Sequence, residues 1–90
     1  MKKKINYRQR IEQKLTDYFA PSNLEVLDES NLHAGHVGAK PEGETHFRVR
    51  MTTEHFLEKS RLEAHREVHK VLKLELEEHV HALALELSSS

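Results

Sequence analysis

Eight histidines and no cysteine define the chemistry open to this chain of 90 residues. Neutral imidazole ligates zinc, copper and iron, and it exchanges a proton near neutral pH. Without a thiol the chain builds no cysteine zinc site, no thiolate nucleophile and no iron–sulfur cluster held by its own sulfur. Three imidazoles stand at informative places: His33 and His36, spaced His33-x-x-His36 in a glycine-bearing stretch, and His81 at the head of an alternating apolar run. A standalone Zn2+ or Cu2+ site built from His33, His36 and His81 is one reading. Solvated loop histidines and a hydrogen-bonded, partly buried strand histidine are the plain alternative. His46 stands beside Arg48 and Arg50 as a surface or packing residue, His65 and His69 read as structural, and His55 and His79 as boundary residues.

Other chemistry finds little footing. Ser60 and His65 are five positions apart on a predicted helix, which is not a facing separation, and Ser60 has a capping role. No phosphate loop or dinucleotide fingerprint occurs, so the chain does not read as an enzyme. Formal charge is −1 with neutral histidines and would reach +7 with all eight protonated, so nothing draws the chain generically to nucleic acid at neutral pH. The longest apolar run, Ala82 to Leu85, is far short of the roughly 20 residues of a membrane span. Met1 to Arg10 carries five basic residues but no secretory signal pattern, so a cytoplasmic protein with a basic flexible tail at 1–5 is expected.

The elements that must position these groups are legible from period and punctuation. Asn6, with Gln9 three residues on, predicts a helix start, and Tyr7, Ile11, Leu15, Tyr18 and Phe19 follow at helical spacing until Pro21. Leu24, Val26 and Asp28 alternate with Glu25, Leu27 and Glu29 as one strand buried mainly on one face, and Thr45, Phe47, Val49 and Met51 form one face of a second. The pair predicts a hairpin whose connection, Ser30 to Gly43, is much longer than the usual two to five residues. Thr53 to Lys59 reads as a short helical turn. Ser60-Arg61-Leu62-Glu63 is a capping box opening one helix with a stripe of Ala64, Val68, Val71, Leu72 and Leu76. His81, Leu83, Leu85 and Leu87 alternate with Val80, Ala82, Ala84 and Glu86, as in a well-covered strand, and residues 88–90 read as a frayed end. A helical crossover favours parallel pairing of this last strand. The expectation is one α+β domain over 1–90, helix-strand-strand-helix-helix-strand, with a three-stranded mixed sheet covered by helices on one face.

Asp28-Glu29-Ser30, His33, Gly43 to Val49, Phe56, Ser60, His65-Arg66, Val68, Leu72 and Val80 to Leu85, in this order and spacing, resemble the BolA family. The resemblance runs from about residue 6 to 87 and implies a KH-like (class II) fold. It implies a partner, a monothiol glutaredoxin in a heterodimer, and a shared 2Fe-2S cluster in iron–sulfur trafficking or iron signalling. His81 matches the family's C-terminal ligand and His33 its loop ligand. The loop is longer than the common family pattern and adds His36 as a second loop candidate. Glutaredoxin cysteine and glutathione would supply the sulfur this chain lacks, and no cluster would be bound by the chain alone. A weak homodimer is a further possibility.

The same resemblance implies a second line, DNA-binding transcriptional or stress-morphology regulation through a helix-turn-helix-like segment at 56–72. Arg61, Arg66, Lys70 and Lys59 would be its phosphate partners. Glu58 stands where the family often has glycine and Ala64 where it often has arginine, and Glu54, Glu63 and Glu67 reduce attraction to phosphate. No GxxG loop of the kind that clamps a nucleic-acid backbone is present.

Overall fold

A computed structural model describes residues 6–30 and 43–89. Helix α1, Tyr7–Phe19, starts where the Asn6 side chain accepts the Gln9 N–H at 3.0 Å and stops where Ala20 turns left-handed before Pro21. Tyr7, Ile11, Leu15 and Phe19, each four residues apart, all face inward and are buried. Tyr18, expected in that stripe, instead lies on the solvent side at 51% exposure. One residue from Phe19 is a rotation of about 100°, so the two cannot share a narrow face.

Strand β1, Asn23–Asp28, pairs antiparallel with β2, His46–Thr52, and β3, Ala82–Ser88, pairs parallel with the other side of β2. The order β1-β2-β3 places β2 in the middle. Its Phe47, Val49 and Met51, with Thr45 just before them, are essentially fully buried, facing Ile11, Leu15, Val68 and Leu72. Each large apolar side chain removed from water there contributes about 1.5–3 kcal/mol. The expected mixed sheet with helices over one face is therefore present.

Three details differ from the sequence reading. β3 is an edge strand with one partner, so its residues are half-buried or exposed rather than well covered, although Leu83, Leu85 and Leu87 pack on the core. Ser88 is not frayed: it ends β3, and its carbonyl accepts the Thr53 N–H at 3.1 Å. The single helix expected after Ser60 is two, α2 over Arg61–Val71 and α3 over Lys73–Glu78, broken at Leu72, which leaves helical backbone angles (φ −100°, ψ 20°) while remaining buried. The Ser60–Glu63 capping box is complete, with both reciprocal bonds present. The expected turn after β2 is a 3-10 turn, Glu54–Phe56, followed by Glu58 at φ 68°. A residue with a Cβ is strained there, and glycine is not.

Candidate metal centre

The end of the sheet where β1 stops and β2 begins is built around small polar side chains. Asp28 Oδ1 accepts both the Ser30 N–H at 3.0 Å and the Ser30 hydroxyl at 2.6 Å. Ser30 Oγ in turn accepts the Thr45 N–H at 2.9 Å and the His46 N–H at 3.2 Å. These bonds hold the two stems of the connection together, satisfying backbone donors that the ladder cannot reach. Gly43 and Glu44 both take left-handed conformations on the return (φ 77° and 61°). The cost at Glu44 is offset by its carboxylate, which accepts the Tyr7 N–H at the start of α1.

β3 enters beside this stem. The Thr45 carbonyl accepts the His81 N–H at 2.6 Å and the Ala82 N–H at 3.0 Å. The His81 side chain is exposed, and its ring lies 5.6 Å from that of His46. His46 is buried at 7% exposure, with Nδ1 2.8 Å from Thr45 Oγ1. His46 is thus a packing residue of this end. His79 holds the same end from the other side: its ring stacks on Tyr7 at 4.9 Å, and its Nε2–H donates to the Gly43 carbonyl at 2.9 Å. Ser30 and Gly43, the described residues on either side of 31–42, lie at this end of the sheet, where the His81 backbone bonds to Thr45. His33 and His36, the loop candidates, lie outside the described residues. Among the described residues there is no group of three or more potential metal-ligating side chains.

The remaining candidates line two depressions that share Lys59. Lys59, Arg66 and Lys70 line one with Tyr18, Glu63 and Glu67. Lys59 and Arg61 line the other, with Phe56, Ser60, Ala64, His65, Leu87 and Ser88. Lys59 lies 3.7 Å from Glu67, while Arg61, Arg66 and Lys70 make no ion pair among the described residues. Glu67 also accepts Tyr18 Oη at 2.9 Å and His55 Nε2 at 2.7 Å. Burial works to raise the Glu67 carboxyl, but the bonds from His55 and Tyr18 outweigh it and hold it below its ordinary value. His55, expected at a boundary, packs edge-on against Tyr18 and Phe19. Ser60 is engaged in its cap, and His69 donates to the His65 carbonyl. Nothing pairs Ser60 with His65 as nucleophile and base.

The least anticipated residue is Glu75. It is fully buried, yet its carboxylate meets Arg10 and Lys14, each at 2.8 Å. Burial opposes the charge, and Lys14 and Arg10 overcome it, so the carboxyl sits below its usual value. Glu75 lies next to the stripe residue Leu76, and no local pattern announces partners more than 60 residues away on α1. This cluster anchors α3 to α1 just before His79.

Residues 15–90 match the model of the BolA-like protein family. The chain belongs to the BolA-like family. It is 42% identical over 78 residues to the DNA-binding transcriptional regulator BolA of Escherichia coli, covering 87% of this chain and 70% of that protein. It is 39% identical over 80 residues to the chloroplastic/mitochondrial SufE-like protein 1 of Arabidopsis thaliana, but spans only 22% of it. The solved BolA domain of SufE1 from the same plant superposes with a TM-score of 0.85 at 36% identity, covering 97% of this chain and 95% of that one. The α+β expectation and the family resemblance are both confirmed. No helix among the described residues is long and apolar enough to cross a membrane.

Proposed function

We propose that this BolA-like chain is a non-enzymatic, cytoplasmic adaptor that docks a monothiol glutaredoxin and supplies histidine ligands to a bridging 2Fe-2S cluster. The observation that carries this reading is His81: exposed, tied by its backbone to Thr45, and beside the Ser30 and Gly43 stems of the segment bearing His33 and His36. The donor set fits half of such a cluster. Two imidazoles on one iron are a known ligand pair, whereas the sulfur for the other iron must come from outside a chain without cysteine. His81 with His33, or His36 in its place, would hold one iron, and glutaredoxin cysteine with glutathione the other.

The test is to add the purified chain to a glutaredoxin carrying a reconstituted cluster and record visible absorption and circular dichroism. Wild-type protein is expected to change the cluster spectrum and His81→Ala to leave it unchanged. An unaltered spectrum with wild-type protein would sink the reading. His33→Ala and His36→Ala, made separately, identify the loop ligand by which of them removes the change.

A second reading, a DNA-binding regulator, is supported by the name of the E. coli relative and by the exposed Arg61, Arg66 and Lys70, which make no ion pair among the described residues. Glu63 and Glu67, which line the same depression as Arg66 and Lys70, reduce the charge that a duplex backbone would meet there. A gel shift at about 0.15 M salt without sequence preference, or without binding, removes specific recognition.

A further inference from the structure

β3 ends the sheet on one side, and among the described residues no strand pairs with its outer edge. The N–H and C=O of one strand residue point the same way, and successive residues alternate. The Thr45 carbonyl accepts the Ala82 N–H and the Ser88 carbonyl accepts the Thr53 N–H, so the even-numbered residues of β3 face β2. Leu83, Leu85 and Leu87 therefore turn their backbone donors and acceptors outward. Their side chains pack on the core yet stay half-buried at the margin of the sheet. Lysine and proline commonly guard such an edge against pairing, and β3 carries neither.

The charge pattern says what fits there. The one charged residue of β3, Glu86, is neutralised within the sheet, accepting from Arg48 at 2.7 Å and from Arg50 at 2.9 Å. The opposite edge differs: β1 follows Pro21 and carries Glu25 and Asp28, with Glu29 just beyond, so two copies of it would bring acids together. A second β3 running antiparallel matches the first. With Leu85 opposite Leu85 of the second copy, Leu83 meets Leu87, Ala84 meets Glu86 and Ala82 meets Ser88. The outward-facing leucines then fall on the hydrogen-bonded pairs, and their side chains extend one apolar stripe across both copies. On the open face Glu86 of the second copy lies against Ala84, whose neighbour on β2 is Arg48, so charge alternates in sign across the junction. A slip of one residue pairs outward with inward backbone groups and loses the bonds. A slip of two opposes the two Glu86 carboxylates or sets Leu87 against His81.

We propose that two copies of this chain associate through β3 in an antiparallel, twofold-symmetric pairing centred on Leu85, which joins their three-stranded sheets into one continuous sheet. The pairing needs this chain alone, so it goes beyond the cluster reading, and it assigns the homodimer a surface and a register. An interface of one strand from each copy is small, so the association is weak and reversible.

The experiment is sedimentation equilibrium of the whole chain, without glutaredoxin, from about 10 μM to about 1 mM, the range in which so small an interface associates. The mass is expected to rise from one chain toward two. NMR on a mixture of isotope-labelled and unlabelled copies should show an Hα–Hα contact between Ala84 of one copy and Glu86 of the other, a non-hydrogen-bonded pair with Cα atoms about 4.5 Å apart. Leu85→Pro removes an N–H that the ladder to β2 does not use, and should weaken association by at least about 10-fold with the far-UV circular dichroism retained. Because the chain has no cysteine, Leu85→Cys should cross-link on oxidation and Glu25→Cys, on β1, should not. A mass of one chain throughout the range, a dimer without the Ala84–Glu86 contact, or cross-linking at Glu25→Cys and not at Leu85→Cys overturns the proposal. The wild-type measurements decide the matter even if a β3 variant fails to fold. With no glutaredoxin present, the result is also independent of whether the cluster reading stands.

Discussion

β2 has a histidine near each end, and the two are used in opposite ways. At its start, His46 meets a threonine hydroxyl at Nδ1. Beyond its other end, about 20 Å away along the strand, His55 donates its Nε2 proton to the Glu67 carboxylate. The first ring is held by the hydroxyl of its own chain neighbour at the buried end of the sheet, and the second by an acid 12 residues further on. Histidine count alone therefore says little: the atom facing each ring decides whether the imidazole packs into the sheet end or ties two elements together. His55 belongs to the second kind, linking the 3-10 turn to α2 while Tyr18 links α1 to the same Glu67.

The largest expected effect probes what holds the first end in place. Glu75→Ala removes the buried carboxylate joining Arg10 and Lys14 and leaves a cavity, for a loss of about 2–4 kcal/mol in urea unfolding. Hydrogen exchange should accelerate around Tyr7 and His79 more than around Thr53 and His55. Equal acceleration at both ends would break the contrast.

Thr45→Val removes the hydroxyl at His46 Nδ1 and is expected to cost about 1–2 kcal/mol in urea unfolding while leaving the His55 end unchanged. The acid limb of stability is a third test. Glu75 has a lowered folded-state value, so its contribution is present above the unfolded carboxylate value of about 4.3 and is lost as pH falls through the folded one. Glu75→Gln should show a shallower fall in stability below about pH 4.5.

His55→Ala should cost about 1 kcal/mol or less in urea unfolding, because its bond to Glu67 is partly solvated, and should leave hydrogen exchange around Tyr7 and His79 unchanged. Faster exchange there would break the contrast between the two ends. Smallest is Glu58→Gly, expected to raise stability by about 0.5 kcal/mol in thermal unfolding by relieving the left-handed backbone at φ 68°.

The elements were legible because their signals are local. The Asn6 and Ser60 caps, the spacing of Tyr7, Ile11, Leu15 and Phe19, and the alternation through Phe47, Val49 and Met51 each concern neighbours within a few residues. The break at Leu72 was not legible, since Val68, Leu72 and Leu76 keep helical spacing across it. His81 was legible as the head of an alternating run but gained its cluster role only through resemblance to a family, and Glu75 was not legible at all, because the cations that make its burial tolerable sit on α1. Glu58 was noticed as a departure from glycine, and its positive φ supplies the reason glycine suits that position.

By itself the sequence determined the composition of the donor set, with imidazole abundant and thiol absent, and the amphipathic elements that bury one core. Periodicity and composition act along the chain, so one strand suffices to read them. Which imidazoles face an acid and which a hydroxyl was decided by the tertiary structure alone. Sheet register brings Asp28 opposite Phe47 and His46 opposite Ala82, and only that pairing carries Asp28, Thr45 and His81 into one hydrogen-bonded corner.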